Sequence, residues 1–215
     1  AGARKAPEFA GERIPTLGQC LDYSKYKIGV YVEIKSCDDD TELMGKVLQH
    51  AEGVKEAHPS FYRDLIDMAE KDETQNLVLT RKVIDLVRRK IMRRHVTIQS
   101  FSPLVCGFVR AEAPELRVEL LAHVDADSKM TWEQWERWAF LMRVHGFNCN
   151  YKALTEGRLE SLQEAGLTVS PYTVNELEDM KRLVAWGVDG IISDKPDLAL
   201  SQSKTVNRAG GPKKQ

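Results

Sequence analysis

No apolar run in this sequence approaches the ~20 residues that a membrane-spanning helix requires. No charged start followed by an apolar stretch marks a secretory leader either, although the first residue is Ala1 and not Met. Charge of one sign is not in surplus: 31 Lys and Arg stand against 32 Asp and Glu, a net charge of −1. That balance removes any global electrostatic case for a nucleic-acid partner or an anionic membrane surface. Cysteine is scarce, with four at positions 20, 37, 106 and 149, none in a CxxC pair and none at metal-type spacing from a histidine. They read as free, mostly buried thiols of a reducing compartment, which favours the cytoplasm over a secreted location. No GxGxxG follows an apolar run, which counts against a dinucleotide fold, and no repeat recurs at a fixed period.

What is present is an ordinary globular composition of 215 residues, 42% hydrophobic and 29% charged, enough for one domain with a sizeable core. Short apolar runs at 28–34, 96–101, 117–122, 147–150, 167–174 and 188–192 predict strands. Amphipathic stretches predict helices over 41–57, 77–93, 132–144, 155–165 and 175–186. Asp40 and Asn175 read as N-caps, Thr131-Trp132-Glu133-Gln134 as a capping box, and Gly146, Gly166 and Gly187 as residues just past helix ends. Strand and helix alternating in this way imply a parallel sheet with right-handed crossovers. Runs such as Ile191-Ile192, apolar on both faces, imply a sheet covered on both sides. An open doubly wound sheet and a barrel both satisfy these constraints. Residues 201–215 carry Lys204, Arg208, Lys213 and Lys214 without one acid, and read as a disordered basic tail.

Several residues could carry chemistry. Glu33 and Lys35 are two apart, so they share one side of a strand at its C-terminal end, where α/β proteins bind ligands. A carboxylate there suits a hard cation and an ammonium suits a phosphate oxygen, while a plain ion pair facing solvent is the simpler reading. Ser100 and Phe101 end a second strand. Tyr172 ends another and could cover a small substrate or simply plug the strand end. His123 closes the 117–122 run and could face the same mouth, while a satisfied or exposed histidine is the simpler reading. Other features read as structural. Arg81, Lys82, Arg88, Arg89, Lys90, Arg93 and Arg94 form a solvated helix face, without the interleaved aromatics of a nucleic-acid surface. Trp132, Trp135, Trp138 and Met142 follow a helical core stripe. Asp38-Asp39-Asp40 lacks the glycine and distal glutamate of a calcium loop. The five histidines form no metal pair.

Taken in order, the pieces resemble the glycerophosphodiester phosphodiesterase family. The segment Phe9-Ala10-Gly11-Glu12-Arg13-Ile14-Pro15-Thr16-Leu17 is similar to its F-x-G-E-x-I-P-T-L, and Val32-Glu33-Ile34-Lys35 to its E-[IL]-K strand. Ser100-Phe101 is similar to its S-F strand, residues 166–175 to G-x-x-V-x-x-W-T-V-N, and residues 187–196 to G-V-D-G-I-I-T-D-x-P. Five such segments in the right order span residues 1–197. The resemblance implies a (β/α)8 TIM-type barrel over residues 1–200. It also implies a hydrolase that cleaves glycerophosphodiesters to glycerol phosphate and an alcohol, with a divalent cation, Mg or Ca, and two acid–base histidines. On that basis Glu33 is a metal ligand, Lys35 lies near the phosphate, and Phe101 and Tyr172 line the substrate pocket. The implied partner is a small-molecule diester.

Two departures accompany the resemblance. The family's H-R-G, E-x-D and H-D segments have no counterpart here, so the expected fold is an N-terminally truncated barrel, inactive by itself. Tyr172 stands where the family has tryptophan and Ser193 where it has threonine. A non-catalytic barrel with a binding or structural role, and a different phosphate-handling barrel enzyme, are the rival readings.

Overall fold

The computed structural model describes residues 7–125 and 127–209. Four parallel strands lie side by side in chain order: β1 (Val30–Glu33), β2 (Val96–Ser100), β3 (Arg117–Ala122) and β4 (Gly146–Cys149). Their registers place Val32 beside Ile98, Ile98 beside Val118, and Leu120 beside Phe147. Helix α1 (Leu17–Ser24) precedes β1. The β1–β2 crossover contains α2 (Thr41–His50), α3 (Pro59–Lys71) and α4 (Gln75–Arg89). The next two contain α5 (Pro103–Glu112) and α6 (Trp132–Leu141). After β4 come α7 (Glu156–Glu164), α8 (Leu177–Trp186) and α9 (Pro196–Ala209). Strands that follow one another without reversal of order build the wall of a TIM-type barrel, whereas a doubly wound sheet reverses part-way.

The pleat sorts the residues into two faces. Val32, Ile98, Val118, Leu120 and Phe147 turn toward the helices and are buried. Phe147 meets Trp132 of α6 edge-on, ring centroids 5.1 Å apart. The predicted tryptophan stripe is buried as expected. The opposite face is polar. Glu119, 1% exposed, accepts from Arg117 Nε at 2.8 Å, Asn148 Nδ2 at 2.7 Å and Gln99 Nε2 at 3.3 Å. Gly146 sits in this layer, not at a helix end as expected. A Cβ there would lie 2.6 Å from Thr168 Oγ1 and 2.9 Å from the Glu119 side chain.

The last two predicted strands continue the parallel array without a regular ladder. Thr168 bridges to Gly146 of β4, and Tyr172 to Asn150 just past its end. Asp189 N donates to Val169 O and Ile192 N to Pro171 O. Side chains and a proline break the pattern between them: Val169 N donates to Asp189 Oδ2, Ser170 N donates to Asn148 Oδ1, and Pro171 has no N–H. At the other end, among the described residues, β1 pairs only with β2.

Other expectations need correction. The boundary drawn at residue 201 falls inside α9, whose first turn packs Leu198 and Ala199 against the core. Residues 210–215 of the predicted tail lie outside the described residues. The helix expected over 77–93 ends at Arg89, and Ile91 is exposed in a left-handed turn beyond it, φ 58°. Helix α5 escaped notice because Pro103–Val109 is buried all round, which erases the amphipathic period. Asp40 precedes α2 but makes no capping bond. Asp39 Oδ1 takes that part, accepting from Thr41 N and Oγ1. Gly187 does end α8 in the left-handed conformation, φ 86°. All four cysteines are free, Cys106 and Cys149 buried and Cys20 and Cys37 exposed.

Candidate functional site

The C-terminal ends of the parallel strands form one rim, where open α/β sheets and barrels gather their ligand-binding groups. Glu33 is the last residue of β1, and Lys35 follows it over the edge. Their side chains form an ion pair, Nζ to Oε1 2.6 Å, with Lys35 largely exposed and Glu33 one-third exposed. Directly after β2, Phe101 meets Tyr172 edge to face at 5.7 Å between ring centroids. The Tyr172 hydroxyl donates to Ala122 O at the end of β3, 2.8 Å, which fixes the ring across the strand ends. Burial pushes that hydroxyl's pKa up, with smaller additions from Cys149, Asp125 and Glu33 in that order.

Ser100, read as a strand end, and Asn175, read as a helix cap, both serve to tie segments of this rim together. Ser100 is buried, and its Oγ donates to Ile34 O at 2.6 Å, tying β1 to β2. Asn175 is not a helix cap. Its Nδ2 donates to Asp194 Oδ2 at 2.9 Å, and its Oδ1 accepts from Asp194 N at 3.0 Å and Ser193 Oγ at 3.2 Å. This clasp joins the chain after Tyr172 to the loop after Ile192.

A hard cation takes six or more oxygen ligands. Glu33 fits as one contributor and cannot form a site by itself, with one of its oxygens already facing Lys35. Among the described residues one group of three could hold an ion: His123, Asp125 and Asp127, whose ligand atoms lie within 4.8 Å of one another. They occupy the loop that leaves β3 on the same rim, and Asp125 accepts from Asn150 Nδ2 at 3.1 Å. The spacing His123-x-Asp125-x-Asp127 was visible in the sequence, but a search for paired histidines passes over it.

The model of the glycerophosphoryl diester phosphodiesterase family matches residues 1–198. The chain belongs to that family. A glycerophosphodiester phosphodiesterase of Bacillus subtilis is 28% identical over 197 residues, covering 89% of this chain and 55% of its own length. One from Caldanaerobacter subterraneus subsp. tengcongensis is 27% identical over 204 residues, covering 94% and 66%. The crystal structure of a candidate glycerophosphoryl diester phosphodiesterase from Silicibacter pomeroyi superposes with a TM-score of 0.66 at 24% identity. That match covers 90% of this chain and 58% of the other. The chain thus spans about half to two-thirds of the length of these phosphodiesterases.

Proposed function

We propose that this chain supplies the greater part of a barrel that hydrolyses glycerophosphodiesters to glycerol phosphate and an alcohol. The observation that carries the proposal is Glu33 and Lys35 side by side at the end of β1, within a chain matched almost throughout by the family model. In this reading Glu33 contributes one ligand to a divalent cation, with Mg and Ca as the candidates. When bound, such a cation polarises a phosphoryl oxygen and stabilises charge on it. Lys35 offers three N–H donors to the phosphate and balances its charge. Phe101 and Tyr172 form an apolar wall that orients the substrate and sheds water from the phosphate. Because the Tyr172 hydroxyl is engaged by Ala122 O and its pKa lies above the ordinary range, it serves as a wall and not as a base.

General acid–base catalysis needs a group within hydrogen-bond reach of the proton it moves, and is worth about 10²–10⁴ in rate. No histidine of this sequence stands in an H-R-G or H-D segment. The 215 residues by themselves are therefore proposed to bind substrate and product weakly and to turn over nothing. The test is release of glycerol phosphate from glycerophosphocholine, with Mg or Ca and with chelator. It is run on the chain alone and on a chimera in which the Bacillus relative's amino-terminal part precedes Ala1. Turnover is expected in the chimera only, abolished by chelator and strongly reduced by Glu33→Gln. A chimera unaffected by Glu33→Gln at low metal refutes the metal role of that residue.

A further inference from the structure

The loop that leaves β1 past Lys35 is held by one side chain from a distant part of the chain. Asn76 stands in the first turn of α4 and is fully buried. Its Nδ2 donates to Ser36 Oγ at 2.8 Å and to Asp40 Oδ2 at 2.5 Å. Its Oδ1 accepts from Cys37 N at 2.8 Å and Cys37 Sγ at 3.2 Å. An amide has two donors and two acceptor lone pairs. All four are spent on residues 36–40, across a sequence separation of nearly forty residues.

The same seam is closed from the loop's side. Asp38 Oδ2 accepts from Gln75 N at 2.5 Å and from Thr74 Oγ1 at 3.1 Å, so the loop caps α4. Thr74 Oγ1 also lies 2.9 Å from Asp40 Oδ1. On the strand side, Ile34 is fixed to β2: its N donates to Gln99 O at 2.8 Å, and its O accepts from Ser100 Oγ. Lys35 is thus one residue suspended between two anchors, Ile34 on the sheet and Ser36–Asp40 on α4. A chain pinned one residue away on either side has little freedom to swing its Cα, so the ammonium can only sample rotamers around Glu33.

We infer that Asn76 is a positioning residue which, by fixing the loop at 36–40 to helix α4, holds Lys35 beside Glu33 at the rim. The inference rests on the proposed roles of Glu33 and Lys35, and extends them to a residue that touches neither. Asn76→Ala removes every bond the loop receives from that side chain and leaves the Cys37 amide without a partner, whereas Asn76→Asp removes only the two donations to Ser36 and Asp40. The Asp38 cap on Gln75 remains, so the loop is loosened and not released.

The experiment compares the full chain with Asn76→Ala, the near-isosteric Asn76→Asp and Thr80→Val. Thr80→Val is the control for strain in α4, since Thr80 Oγ1 donates to Asn76 O within that helix and not to the loop. Hydrogen exchange read by mass spectrometry should show peptides over 36–40 exchanging about tenfold faster in Asn76→Ala, the factor carried by a hydrogen bond of ~1.4 kcal/mol. Peptides over β2 and β3 should be unchanged, and Thr80→Val should leave 36–40 protected. In NMR spectra the Lys35 ε-methylene signals, identified by their shift in Glu33→Gln, should move toward their Glu33→Gln positions in both Asn76 variants and not in Thr80→Val. If Asn76→Ala fails to fold, Asn76→Asp decides, because it keeps the volume and both acceptors but loses both donors. An unchanged exchange rate at 36–40, unmoved Lys35 signals, or an equal effect of Thr80→Val each overturns the inference. The Lys35 signals report with no ligand present. Titration with sn-glycerol 3-phosphate and Mg therefore tests the proposed function separately: a wild-type chain that binds none counts against that reading alone.

Discussion

Glu119→Gln is the most informative single change in the barrel interior. The wild-type carboxylate is 1% exposed and accepts from three donors: Arg117 Nε at 2.8 Å, Asn148 Nδ2 at 2.7 Å and Gln99 Nε2 at 3.3 Å. A glutamine has the same shape but carries two N–H donors on one end. All three partners are donors, so whichever way the amide is turned, its NH2 faces at least one of them. One buried hydrogen bond is lost, and the others lose their charge assistance. A lost bond to a charged group costs about 1.5–3 kcal/mol. Arg117 is 40% exposed and can turn to water, so its share is discounted toward the surface range of under ~1 kcal/mol. The net expectation is a loss of about 2–3 kcal/mol, or roughly 4–12 °C in Tm for a chain of this size. The damage should not stay local. Asn148 holds Glu119 with its Nδ2 and Ser170 N with its Oδ1 at 2.7 Å, two residues before Tyr172. Thermal unfolding followed by circular dichroism gives the first number, and hydrogen exchange over residues 168–174 the second. A Tm within about 1 °C of wild type, with unchanged protection at Ser170, refutes the reasoning that this network anchors the segment bearing Tyr172.

Two further outcomes follow from the same fold. His145 is half-buried with Arg110 Nη1 3.3 Å from its Nε2, and burial first, then the Arg110 charge, lowers its pKa below the ordinary 6.5. The unfolded state therefore binds this proton more readily. The stability contribution is fully present above pH 6.5 and is lost as pH falls from there through the folded pKa, so urea midpoints should drop on acidification, and less so in His145→Gln. The edge of β1 that is unpaired among the described residues, with Ile28 62% and Tyr31 52% exposed, is a template for further strand pairing. Sedimentation of the chain should show association that rises with concentration and falls in Ile28→Lys. Equal association in the two proteins would locate the contact elsewhere.

The sequence by itself determined what depends on local pattern. Period-two and period-3.6 apolar spacing located the four regular strands within two residues at each end and five of the helices. The strand-end positions of Glu33, Lys35 and Phe101 followed from where those apolar runs stop. Thr131 and Gly187 behaved as local capping chemistry dictates, since a cap is satisfied within a few residues of itself. Tertiary structure decided everything that required a partner far along the chain. Asp40 and Asn175 have the composition of caps, yet their side chains bond to Thr74 and Asn76 in one case and to Ser193 and Asp194 in the other. Gly146 looks like a helix terminator and is instead the gap that Glu119 and Thr168 fill. Residues 167–174 and 188–192 have the apolar content of strands, but Asp189 and Asn148 capture the N–H groups of Val169 and Ser170, which breaks the ladder between them. A short polar side chain bonds to whichever donor or acceptor folding brings within about 3 Å. That choice is made by strands and helices meeting across many residues, which no local pattern records.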